Sequence, residues 1–166
     1  AGSVYFAANV FGKLILQAME PITNVILSYL SKTKRVSKRT WKFVIPISAA
    51  VCAVLYLLCI LVSKPVLNIF YPQWASAAIK LVPISTLSLA LSAFISIIYP
   101  FSLKNLESHK QIIINLVGVV IYISAALILY KKFELLGCCV ALLLSYFFKM
   151  LVMLYLCLKG NKNEVE

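Results

Sequence analysis

Apolar residues along this chain fall into long unbroken blocks separated by short polar stretches. The blocks cover Val4–Leu30, Phe43–Val62, Ala78–Phe101, Ile112–Tyr130 and Leu135–Leu158. A helix of about 20 residues, rising 1.5 Å per residue, crosses the ~30 Å hydrocarbon layer of a bilayer. Each block approaches or exceeds that length. Only helices and closed barrels satisfy their backbone polar groups in lipid, and the short alternating segments of barrel strands are missing here. The pattern predicts an all-α integral membrane protein: one transmembrane domain over residues 1–166, a bundle of five spans at about 4–30, 43–62, 78–101, 112–130 and 135–158.

Polar residues inside the first block are ordered. Asn9, Lys13, Gln17, Glu20, Asn24 and Ser28 recur every three or four residues. At ~100° per residue they share a sector of about 100° on a 3.6-residue helix. A charge at mid-membrane costs ~2.5–3.5 kcal/mol on insertion scales, so Lys13 and Glu20 need compensation. A buried polar network that only holds helices together is one explanation. A water-filled cavity accepting a polar or anionic substrate is the other, and it accounts better for six polar residues in line. Pro21, next to Glu20, frees a backbone carbonyl beside the charges.

The other blocks carry weaker stripes. Ser85, Ser88, Ser92, Ser96 and Tyr99 share a face of the third and suggest close small-residue packing. Gln111, Asn115, Gly118 and Tyr122 share a face of the fourth. Gly137, Ala141 and Ser145 form a ridge on the fifth, with Lys149 a turn beyond, expected either to snorkel toward the cytoplasm or to reach the cavity. Pro46 and Pro83 are expected near helix starts, and Pro100 at an inner end. The connection Ser63–Ala77, with Pro65, Phe70, Tyr71, Pro72 and Trp74, has the composition of an interfacial segment.

Composition supports a membrane protein and narrows the chemistry. The chain is 63% hydrophobic and 13% charged, with a mean hydropathy of +0.98. That leaves too little polar surface to cover a water-soluble domain. The formal charge of +11 is concentrated in part at Lys32–Lys42, which holds six of the sixteen basic residues. Such a run would suit nucleic acid in a soluble protein, but between two spans it follows from the excess of Lys and Arg in cytoplasmic loops. No nucleic-acid partner is expected. Placing that loop inside puts ten basic residues in inner loops and tail, including Lys104, Lys110, Lys159 and Lys162. Lys64, Lys80, Lys131 and Lys132 are then outside. The C-terminus falls on the cytoplasmic side, and the first helix runs from outside to inside. That orientation, with no signal-peptide pattern, leads to the expectation that further helices precede it in a longer polytopic protein.

No enzyme constellation is visible: His109 is the single histidine and Glu20 is the lone acidic residue within a span. Cys52, Cys59, Cys138, Cys139 and Cys157 lie in apolar blocks with no CxxC spacing. Neither metal nor cofactor is expected.

Three places give the chain a resemblance to a known family. These are the opening Ala1-Gly-Ser-Val-Tyr5-Phe-Ala-Ala8, the run Val66-Leu-Asn-Ile-Phe70-Tyr71 followed by Trp74, and Leu136-Gly137-Cys138-Cys139-Val140-Ala141. In this order they resemble the C-terminal lobe of the multidrug/oligosaccharidyl-lipid/polysaccharide exporter superfamily, in particular the O-antigen and capsule repeat-unit flippases. Cys138-Cys139 stands where that family usually has alanines. The resemblance implies the C-terminal lobe of a MATE-like two-lobed transporter of the cytoplasmic (inner) membrane, alternating between inward- and outward-open states. Its substrate would be a polyprenyl-pyrophosphate-linked oligosaccharide, with other polysaccharide assembly proteins as possible partners. Lys13 would meet the pyrophosphate, and Asn9, Gln17 and Asn24 would bond sugar or phosphate oxygens. Glu20 would couple an ion or balance Lys13. Two other readings stay open. One is a small-molecule multidrug exporter on the same scaffold, which would favour acidic cavity residues. The other is a membrane-embedded glycan polymerase or ligase, which would favour a large outer loop.

Overall fold

The computed structural model describes residues 2–32, 38–105 and 108–160, all in helices except a short turn at 71–74. The helices are α1 (Gly2–Lys32), α2 (Lys38–Phe70), α3 (Ala75–Asn105) and α4 (Ser108–Gly160). Among the described residues, four helices are long and apolar enough to cross a membrane, which is the architecture of a membrane protein. Residues 33–37 of the basic loop expected over Lys32–Lys42, and the tail residue Lys162, lie outside the described residues, while Lys38–Lys42 form the start of α2.

α3 is the hub, packing against α1, α2 and α4. Its most apolar stretch is 61% buried, against 22% for α1 and 11% for α2. The cause is its small side chains: Ala75, Ala78, Ser85, Ser88, Ala90 and Ala93 are all buried, so neighbouring backbones approach from several sides at once. Serines along α3 bond within the helix. Ser88 donates to Ser85 O at 2.8 Å and Ser96 to Ala93 O at 2.7 Å, hiding each hydroxyl inside its own helix.

Contacts set the directions of the chain. Ser85 Oγ donates to Ala8 O at 3.2 Å and Thr23 Oγ1 lies 3.4 Å from Ser96 Oγ, so α1 and α3 run parallel. Two core clusters follow. One joins Ala7, Ala8, Phe11, Leu67, Ala78, Val82 and Cys139. The other joins Ile15, Met19, Cys52, Ala93, Phe94, Ile98 and Met153. Large apolar side chains such as Val54, Leu57, Leu61, Ile69, Leu116 and Ile128 are exposed, a surface suited to lipid tails.

The structure departs from the sequence expectations at α2, α3 and α4. α2 runs to Phe70 rather than Val62, through Pro65. Ser63 Oγ donates to Ile60 O at 2.7 Å beside the proline, and Leu67, fully buried in the first cluster, holds the added turns in place. The interfacial connection shrinks to Tyr71–Trp74, a turn closed by Trp74 N donating to Tyr71 O at 3.0 Å, with Pro72 at its second position. The Tyr71 and Trp74 rings stack 6.1 Å apart. Pro46 and Pro83 consequently lie inside helices rather than in first turns, and Pro100 lies inside α3.

The blocks 112–130 and 135–158 form one 53-residue element, α4, interrupted at Glu134 (φ 48°, ψ −123°). At 1.5 Å per residue a straight α4 would reach about 80 Å, far beyond a bilayer core. Instead it folds back on itself. Ser145 Oγ donates to Gly118 O at 2.7 Å across the two halves. A Cβ at Gly137 would collide with the Leu129 carbonyl, so only glycine fits this crossing. Glu134 has the single positive φ among described non-glycine residues, a conformation costing about 1–3 kcal/mol.

Candidate functional site

The site begins with a seam of small residues. Ala7 and Ala8 have no exposed surface, and a Cβ at Gly12 would strike the Leu89 side chain. α1 therefore lies close against α3 over its N-terminal half. Asn9 and Lys13 follow Ala8 and Gly12 by one position, so about 100° of helical rotation carries them to the edge of the seam.

At that edge a groove of about 410 Å³ lies between α1, α3 and the second half of α4, with Tyr5, Phe6, Asn9, Lys13, Leu89 and Tyr146 among its walls. Asn9 is only 7% exposed. Its Oδ1 is buried with no hydrogen-bond partner. A buried acceptor left in this state costs about 1–3 kcal/mol, so it is poised to take a donor. Lys13 is exposed at the groove, its Nζ 5.0 Å from the centroid of the Phe6 ring. A cation over an aromatic face gains about 0.5–2 kcal/mol, enough to orient the ammonium yet weak enough for an anion to displace it.

The structure brings Asn9 and Lys13 together and leaves the other members of the stripe apart. Gln17, Glu20 and Asn24 are exposed along α1 and lie outside the groove. Lys13 and Glu20 are separated by seven positions, about 10 Å of axial rise. Tyr5 and Phe6 figured in the sequence only within the opening motif of the family resemblance, not as site residues, and Tyr146 not at all. Tyr5 stands four residues before Asn9 and extends the polar stripe by a turn, a signal available in the spacing. Tyr146 carries no comparable signal, because the fold-back of α4 alone brings it to α1.

Lys149 is half-buried and lies away from the groove. Its carbon chain packs over Gly118, and it lines a small pocket with Ser102, Gln111 and Asn115. Among the described residues no group of three or more His, Cys, Asp or Glu could hold a metal ion. Cys52, Cys59, Cys138 and Cys139 are free. No protein-family model matches the chain, and no curated protein or solved structure is significantly similar to it.

Proposed function

We propose that the chain is the C-terminal lobe of a flippase. It would carry polyprenyl-pyrophosphate-linked oligosaccharide repeat units across the cytoplasmic membrane for O-antigen or capsule biosynthesis. The observation behind this reading is the Asn9–Lys13 groove, at one end of a helix on which Gln17, Glu20 and Asn24 remain exposed. A volume near 410 Å³ falls in the ~300–1,000 Å³ range of small-ligand sites. It suits a head group shared with a facing lobe.

In this reading α4 crosses the bilayer twice, five crossings are made in all, and the C-terminus lies in the cytoplasm. Lys13 attracts the pyrophosphate, and the low dielectric of a membrane interior strengthens that attraction. The unpaired Asn9 Oδ1 accepts a hydrogen bond from a sugar hydroxyl. Gln17 and Asn24 extend the wet track along α1 as the two lobes rock around the site. Glu20 balances the charge of Lys13 or carries the coupling ion. A lysine at the groove supports an anionic head group over a cationic drug.

The test is Lys13→Ala in the full transporter. Surface polysaccharide is expected to be lost while the protein stays inserted in the membrane; normal polysaccharide would remove Lys13 from the site. Single cysteines at Asn9, Lys13 and Asn24, in a background cleared of native cysteines, are expected to react with an aqueous thiol reagent in at least one transport state. Sealing of all three positions in every state would end the proposal.

A further inference from the structure

We propose that the pocket between the end of α3 and the two halves of α4 binds one monatomic anion of the chloride class. This site is separate from the Lys13 groove and does not depend on it. The pocket is lined by Ser102, Gln111, Asn115 and Lys149, with Tyr99 and Met153 completing the wall. Ser102 has no exposed surface and Gln111 is 6% exposed. Ser102 Oγ and Gln111 Nε2 are both buried without a hydrogen-bond partner. Two such orphans within a few turns are unusual, since buried polar atoms in folded proteins are nearly always paired. Both are free to bond an occupant.

Size and chemistry identify its class. The space is about 20 Å³, above the ~10–15 Å³ needed for one water-sized particle, which suits a single small ion. An amide nitrogen and an ammonium donate only, and a serine hydroxyl can donate. Among the described residues, those lining the pocket include no carboxylate, so none of them balances Lys149. A charged lysine held partly out of water is costly without a counter-charge. A halide accepts from all these donors and supplies that charge. The occupant would also pin the second half of α4 to the end of α3, because Lys149 and Ser102 belong to those two elements.

The experiment is thermal unfolding of the full protein, purified in uncharged detergent, in potassium chloride and in potassium gluconate at equal ionic strength. Chloride and bromide are expected to raise the melting temperature saturably, while gluconate, too large to enter, is not. Gln111→Leu and Lys149→Met are expected to abolish the difference between the salts. Should these variants fail to fold, bromide soaked into crystals of the unaltered protein gives an independent readout as an anomalous peak beside Ser102 and Gln111. Equal melting in both salts with no bromide peak, leaving one water in the pocket, overturns the proposal. Stabilisation by phosphatidylglycerol but not by chloride also overturns it, assigning the site to a lipid phosphate oxygen.

Discussion

α1 and α2 are nearly equal in length, 31 and 33 residues, and both expose much of their surface, yet they expose different chemistry. α2 presents Val51, Val54, Leu57, Leu58 and Leu61. α1 presents Lys13, Gln17, Glu20 and Asn24 beside an apolar strip containing Leu14 and Val25. Exposure alone therefore does not mark a lipid-facing surface. A face of α2 can meet acyl chains at no cost, whereas the polar side of α1 needs water, a ligand or a second protein surface. One helix is finished by the bilayer and the other is completed by something else.

The contrast can be broken most sharply by moving a charge. Leu57→Lys, near the middle of α2, is expected to cost about 2.5–3.5 kcal/mol of membrane insertion, read by a glycosylation-mapping assay. Gln17→Lys on α1 is expected to cost clearly less. Equal penalties would mean that both faces meet lipid. A smaller effect comes from the helix seats. Gly12→Val forces a side chain against Leu89 and is expected to destabilise the fold by about 1–3 kcal/mol, measured by unfolding in mixed micelles. Ala53→Val on the exposed side of α2 is expected to change little. The smallest effect is functional. Glu20→Gln is expected to alter the pH or ion dependence of transport with little loss of protein, and an unaltered dependence would leave Glu20 a charge-balancing role only.

Much of this architecture could be read from the residues. The first apolar block ends within two residues of α1, and the polar Lys131–Glu134 segment marks the reversal in α4. Helix ends near prolines were not legible. Lys64-Pro65 resembles a boundary, yet α2 passes through it because Leu67 finds a buried seat among residues distant in sequence. The central place of α3 was also hidden, since its run of apolar and small residues looks little different from its neighbours until they pack on it. At the site, the i, i+4 spacing identified the stripe of α1. It could not separate Asn9 and Lys13, which share a groove, from Gln17, Glu20 and Asn24, which do not. That division is made by Leu89 and Tyr146, residues more than 70 positions away, and periodicity within one helix carries no information about them.

The reversal at Glu134 has a practical meaning for biogenesis and handling. With the direction of the chain changed at one residue and Gly137 pressed against Leu129, there is no slack at that tip. In the proposed topology the two arms of α4 enter the bilayer as a single folded wedge. A protease or an inserted epitope tag would find no free strand there to cut or to lengthen without prising the arms apart.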